Sequence, residues 1–232
     1  MTTFFRTDAD LHFPDSDGKP MADNTEQFRW IVLIKENLEI LFADQPNVFV
    51  AGDLLWFPVK SCLISPVAPD TMVVFGRPKG RRGSYKQWQE DNIAPQVVYE
   101  ILSPSNNADE MERKLEFYQT YGVEEYYQYD PDRYDLKGWR RQGEQLLPIA
   151  QMDGWTSPLL GIRFAVGNHE LVIYRPDGRQ LFESGGVGAT GRAGTSTSRA
   201  GGATIAGYAS AAPAVSRSLW GIRPLASKIN SW

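Results

Sequence analysis

Three charged residues stand where folding alone would not place them. Glu100 lies within residues 95–102 (PQVVYEIL), a run otherwise built of β-formers, the pattern of a strand buried on both faces. A buried carboxylate is costly without a partner, so Glu100 requires a cation, a hydrogen-bond donor or a proton. Asp70 opens a second apolar run, residues 71–75. If the two runs pair as neighbouring strands, their carboxylates approach each other at one end of a sheet. Lys114 falls on the helical stripe Met111, Lys114, Leu115, Tyr118, which directs its ammonium toward the sheet or along its edge.

Two carboxylates and a lysine suit phosphodiester hydrolysis. Mg²⁺, or Mn²⁺ in its place, prefers oxygen ligands and keeps several waters, so Asp70 and Glu100 suffice to hold it. Such a metal neutralises a scissile phosphate and acidifies a bound water. Lys114 then orients that water or stabilises charge developing at phosphorus. Each residue also has a plainer explanation. Asp70 after Pro69 is an ordinary turn residue, Glu100 can serve a structural ion pair, and Lys114 can lay its stem along the core.

The elements that must position these groups are readable in outline. Asn24 or Thr25 can cap a helix to about Phe42, with Phe28, Ile31, Leu38 and Leu41 as its apolar stripe. Residues 47–57 read as one strand, closed by Pro58. Residues 76–94 form a polar loop whose cluster Arg77, Lys79, Arg81, Arg82 and Lys86 supplies the best candidates for phosphate contacts. The 103–107 segment stops the Glu100 strand. Asp109 can cap the next helix, which ends at Tyr121 and Gly122. Further strands are expected at 125–129, 134–140, 145–150, 162–166, 171–174 and 180–182, with turns at Gly143-Glu144 and Asp177-Gly178. The order of elements implies an α/β or α+β domain with a mixed sheet.

Composition narrows the setting. At 232 residues, 42% hydrophobic and 22% charged, the chain suits one core with a small appendage. After Glu183 it carries Arg192, Arg199, Arg217, Arg223 and Lys228 but no acid. Residues 1–183 therefore hold 19 basic and 28 acidic side chains, a net charge near −9, which argues against broad adhesion to nucleic acid but not against a narrow cleft. Cys62 is the single cysteine, which excludes an internal disulfide and a cysteine-based zinc site. His12 and His169 lack metal-ligand spacing and read as surface or packing residues. Tyr118, Tyr121, Tyr126 and Tyr127 read as core or interface residues rather than as a base-stacking platform. With no membrane-length apolar run and no secretory layout, no membrane role and a cytoplasmic location are expected.

The segments PDTMVVFG, PQVVYEILSPS and RKLEFYQTYGVEEYYQYDP, with GKPMADN at 18–24 and YKQWQED at 85–91, resemble the Uma-type branch of the PD-(D/E)XK nuclease superfamily. The similarity runs from about Asp17 to Glu183. It implies a restriction-endonuclease-like α/β (α+β) core, a mixed β-sheet flanked by helices, with extra β-hairpins toward the C-terminus. It assigns the motif aspartate to Asp70 and the motif acid to Glu100. The superfamily's usual lysine position is Leu102 here, whereas this branch carries the lysine on the following helix, matching Lys114. Glu110 stands where the branch has an aspartate and is expected to support that lysine. The implied activity is metal-dependent cleavage of DNA, with a homodimer compatible as the assembly. The acidic body favours the alternative, a catalytically silent nucleic-acid- or protein-binding module on the same fold.

Residues 1–16 are expected to form an arm, 17–183 the nuclease-like domain and 184–232 a disordered tail. Gly, Ala and Ser supply 27 of the last 49 residues, too little apolar surface to offset the entropy of ordering. Truncation after Glu183 is therefore expected to leave the melting temperature unchanged and to remove a salt-sensitive increment of DNA affinity. A drop of several degrees in a thermal melt would show the tail to be packed.

Overall fold

The protein is described by a computed structural model covering residues 13–167 and 171–180. The expected arm up to residue 12, His12, His169, the end of the 180–182 strand and the 184–232 tail lie outside the described residues.

Alternating side chains build two cores on one sheet. The six-stranded sheet has the order β1–β3–β5–β6–β7–β8, formed by β1 (Val48–Ala51), β3 (Thr71–Phe75), β5 (Val97–Ile101), β6 (Glu125–Asp130), β7 (Asp135–Gln142) and β8 (Gln145–Pro148). Only β5 and β6 pair in parallel; every other neighbouring pair is antiparallel. Val48, Val50, Val73, Val97, Tyr99, Ile101, Tyr127 and Tyr129 face one side, against α1 (Thr25–Leu41). Phe49, Ala51, Met72, Val74, Val98 and Tyr126 face the other, against Tyr118 of α2 (Ala108–Thr120). Burial on both faces is why β3 and β5 are almost continuously apolar. The expected mixed sheet flanked by helices is what forms.

Local chemistry sets the ends of the helices. Asn24 caps α1, its side chain accepting from Gln27 N at 2.8 Å. The α1 stripe differs from the expected one: Trp30, Ile31, Leu33, Ile34 and Leu38 are buried, while Phe28 is 49% exposed. Asn107, not Asp109, caps α2, with its carboxamide oxygen accepting from Glu110 N. Its extended backbone suits a capping residue, and Asp109 instead sits in the positive first turn. Tyr121 ends α2, and Gly122 follows at φ +95°, a position glycine tolerates best.

The strand expected at 47–57 is broken. Gly52 and Asp53 turn the chain after β1, with Asp53 at φ +47°, and a separate β2 (Trp56–Phe57) leaves the main sheet to pair in parallel with β4 (Tyr85–Lys86). The loop expected at 76–94 therefore contains β4 and a short 3₁₀ turn at Gln87–Gln89. Residues 13–16, expected as part of an arm, are anchored to this region: Phe13 packs on Phe57 and Trp88, and Asp15 accepts from Ser84 Oγ. The expected hairpin of β9 (Arg163–Val166) and β10 (Leu171–Tyr174) forms and adds Phe164, Leu171 and Ile173 to the α1-side core.

A second buried carboxylate secures this C-terminal part. Glu125 is 1% exposed and accepts from Tyr127 OH at 2.9 Å, Leu159 N at 3.1 Å and the Ser157 hydroxyl. Glu125→Ala leaves those donors unpaired in a dry site, and a loss of about 3 kcal/mol in urea unfolding is expected. A loss under about 1 kcal/mol would mean that solvent replaces the carboxylate.

Candidate active site

The antiparallel register that pairs Thr71 with Tyr99 sets Asp70 across from Glu100, on the α2 side of the sheet. Asp70 Oδ2 accepts from Ile101 N at 2.6 Å, so one carboxylate is tied directly to the strand that carries the other. Glu100 is 2% exposed and has the partners its burial demands. Lys114 Nζ donates to Oε2 at 2.7 Å, and Tyr118 OH donates to Oε1. Lys114 and Tyr118 lie one turn apart on α2, so a single helical face supplies both donors. The structure thus brings Asp70, Glu100 and Lys114 together.

Asp70 and Lys114 open onto a cleft of about 370 Å³, whose lining also includes Asp17, Asp53 and Glu110, while the buried Glu100 does not itself line it. Gln27 forms part of its wall. It donates Nε2 to the Ile101 carbonyl and accepts from Asp23 N, both at 2.8 Å. The Ile101 residue is consequently held through its N–H by Asp70 and through its carbonyl by Gln27. Asp23 in turn accepts from the hydroxyls of Ser103 and Ser105, which fastens the segment before α1 to the loop leaving β5.

The electrostatics follow from burial and like charge. Burial first, then Glu100, pushes the Asp70 carboxyl well above the usual carboxylate range, against the opposing Ile101 N–H and Lys114. Burial also pulls the Lys114 ammonium down, but Glu100, with Asp70 and Glu110 behind it, more than compensates and leaves it raised. Lys114 is therefore a fixed cation rather than a base at neutral pH. Asp53 is raised by burial, then by Asp17 and Glu100.

Two residues of the site were not singled out from sequence. Tyr118 was expected only as core or interface, although a tyrosine on a buried stripe usually finds a partner for its hydroxyl. Asp53 was hidden inside an expected strand; the Gly52-Asp53 pair was the available signal for a break. Asp53 N donates to the Pro69 carbonyl at 3.1 Å, which brings the turn beside Asp70. Glu110 accepts from Asn106 Nδ2 at 3.3 Å and acts on Lys114 only through space.

The basic cluster lies apart from the carboxylates, and none of its five members lines their cleft. Arg77 and Arg82 both pair with Glu90, at 2.8 and 2.7 Å, and Arg77 also meets Asp91. Arg82 further stacks over Phe49 at 4.0 Å. Lys79 and Arg81 are exposed and line a separate cleft beside β1, while Lys86 lies on β4.

Among the described residues, no set of three His, Cys, Asp or Glu side chains converges to hold a metal ion. Asp70 and Glu100 supply oxygen donors only, and Asp70 Oδ1 takes no hydrogen bond among the described residues. That donor set fits a hard cation that keeps several waters, and fits poorly one that needs a full protein cage. No described helix is long and apolar enough to cross a membrane.

The mixed sheet flanked by helices, with Asp70 just ahead of β3, Glu100 on the neighbouring β5 and Lys114 on the following helix, is a restriction-endonuclease-like core. The chain belongs to the Uma2 family, described as "Putative restriction endonuclease", whose pattern matches residues 20–167. A DUF820 protein of Anabaena variabilis ATCC 29413, whose crystal structure is described as that of "a putative nuclease", is similar over 62% of this chain and 78% of its own, at 17% identity and a TM-score of 0.45. No curated protein matches the chain. Family membership supports reading the chain as a nuclease.

Asp70 yields a signed pH prediction. Its folded-state pKa lies above that of an unfolded aspartate, so between the two values the folded chain binds more protons and stability falls as pH rises. Asp70→Asn removes this dependence. Metal-free mutant protein is expected to melt at or above the wild-type temperature near pH 8, with the difference shrinking toward about pH 5. A mutant melting well below wild type across that range would make Asp70 an ordinary structural partner.

Proposed function

We propose that the protein is a divalent-metal-dependent endonuclease that hydrolyses DNA phosphodiester bonds. The observation that carries this reading is the meeting of Asp70 and Glu100 at one end of the sheet, with the Lys114 ammonium 2.7 Å from Glu100. Asp70 and Glu100 would hold Mg²⁺ or Mn²⁺. When bound, the metal neutralises the scissile phosphate and lowers the pKa of a coordinated water.

The chain's own groups have separable tasks. Asp70 and Glu100 are two like charges against one lysine, so the pair is under-neutralised and attracts a cation. Lys114, held protonated by Glu100, donates hydrogen bonds to the attacking water or to a phosphate oxygen and stabilises charge there. It does not remove the proton. Glu110, one turn before Lys114 and lining the same cleft, helps to keep the ammonium charged. Lys79 and Arg81, exposed and with no ion pair among the described residues, are the members of the basic loop best suited to the DNA backbone. Arg77 and Arg82 reach it only by exchanging their pairing with Glu90.

The test is cleavage of supercoiled plasmid and of single-stranded oligonucleotide, each with Mg²⁺, Mn²⁺ or chelator. Wild type is expected to cut only with metal. Lys114→Ala is expected to lose about 100-fold or more in turnover, and Asp70→Asn and Glu100→Gln to need more metal as well. Cutting that persists in chelator, or in all three mutants, places the active site elsewhere. DNA that is bound by wild type yet never cut supports the silent binding module, the reading that the acidic body favours.

A further inference from the structure

Glu100 is asked to do two incompatible things: remain ionised with its oxygens available to a cation, and sit 2% exposed in an apolar sheet. One salt bridge does not fix a carboxylate, because a single ammonium on Oε2 leaves the group free to rotate about its terminal bond. The second donor removes that freedom. Tyr118 is fully buried on α2, and its hydroxyl reaches Oε1, the oxygen that Lys114 leaves open. With a different donor on each oxygen, the carboxylate plane is set by α2. A carboxylate has about four lone-pair positions, so each oxygen keeps capacity for a further partner.

Nothing in the packing alone requires a hydroxyl there. The Tyr118 ring is held by Trp56, stacked at 6.3 Å, by Tyr126 at 5.1 Å and by Phe117 at 5.9 Å. Those contacts belong to the ring and survive its replacement by phenylalanine. Tyr126 supplies the contrast. It lies on the same face of the sheet and is 1% exposed, yet its hydroxyl has no hydrogen-bond partner among the described residues. Two buried tyrosines in contact thus differ in one respect, and only one of them engages the candidate metal carboxylate.

We infer that Tyr118 is a positioning residue: its hydroxyl fixes the Glu100 carboxylate in the orientation that presents it to the cation, while Lys114 supplies the balancing charge. This rests on the proposed metal-site reading and adds to it a group that never touches metal or substrate. Partners that orient a metal ligand from behind typically govern affinity about 10–100-fold.

The test is Mn²⁺ binding to the metal-free full-length protein, followed by calorimetry and by the loss of the free-ion paramagnetic resonance signal, without nucleic acid. Wild type, Tyr118→Phe and Tyr126→Phe are compared, with thermal melts run in parallel. Wild type is expected to saturate, Tyr126→Phe to superimpose on it, and Tyr118→Phe to need about tenfold more Mn²⁺ or beyond while melting within a few degrees of wild type. If Tyr118→Phe binds Mn²⁺ as wild type does, the inference is overturned and the metal site stands. Equal weakening in both tyrosine variants overturns it too, since loss of any buried hydroxyl would then suffice. A wild type that takes up no Mn²⁺ overturns the metal-site reading and this inference with it.

Discussion

The organisation of the site depends on one buried ion: the Glu100 carboxylate, clasped between the Lys114 ammonium and the Tyr118 hydroxyl. Breaking such a cluster by removing one partner typically costs about 3–5 kcal/mol, whereas an all-apolar replacement is often neutral or better. The arrangement is therefore a poor way to gain stability. Its stabilising elements lie elsewhere, in two cores on opposite faces of the sheet. The charged cluster occupies the α2-side core and points its surplus negative charge, Asp70, into a cleft that Asp17 and Asp53 make more negative still.

That surplus distinguishes Glu100 from Glu125, which is buried as deeply. Glu125 is met by a tyrosine, a serine and a backbone N–H, and among the described residues it pairs with no cation. It behaves as a structural fastener for the segment around Ser157. Glu100 shares its neighbourhood with a second carboxylate whose pKa is driven up by burial first and then by that proximity. Like charges gathered at a cleft wall are what a cation can reconcile; dispersed and fully satisfied ones leave it nothing to do.

Much of this was legible in the sequence because it rests on short-range rules. A glutamate amid β-formers declared its own need for a partner, Lys114 lay on the stripe facing it, and strand 71–75 was delimited to the residue. What escaped notice depended on the third dimension. The Gly52-Asp53 turn looked like strand interior, since flanking residues on both sides are β-formers; only the hydrogen bond to Pro69 reveals why the chain bends there. Tyr118 was indistinguishable from its aromatic neighbours because a hydroxyl's partner is set by what lies opposite across two elements. Asn107 displaced Asp109 as the cap of α2, as two good capping residues close together compete on backbone conformation rather than on side-chain type. The basic loop read as a surface of free charge, and its pairing with Glu90, eight and thirteen residues along the chain, was invisible to periodicity.

The parallel pairing of β5 with β6 has a temporal meaning. A parallel neighbour requires a crossover, and here the crossover is α2, which carries Lys114 and Tyr118. During synthesis Asp53, Asp70 and Glu100 emerge before the lysine that neutralises them. In the folded protein the two carboxylates that β3 and β5 bring together are balanced only by the lysine on that helix. A chain that ends before α2 therefore carries the three acids but neither the lysine nor the tyrosine that meet Glu100.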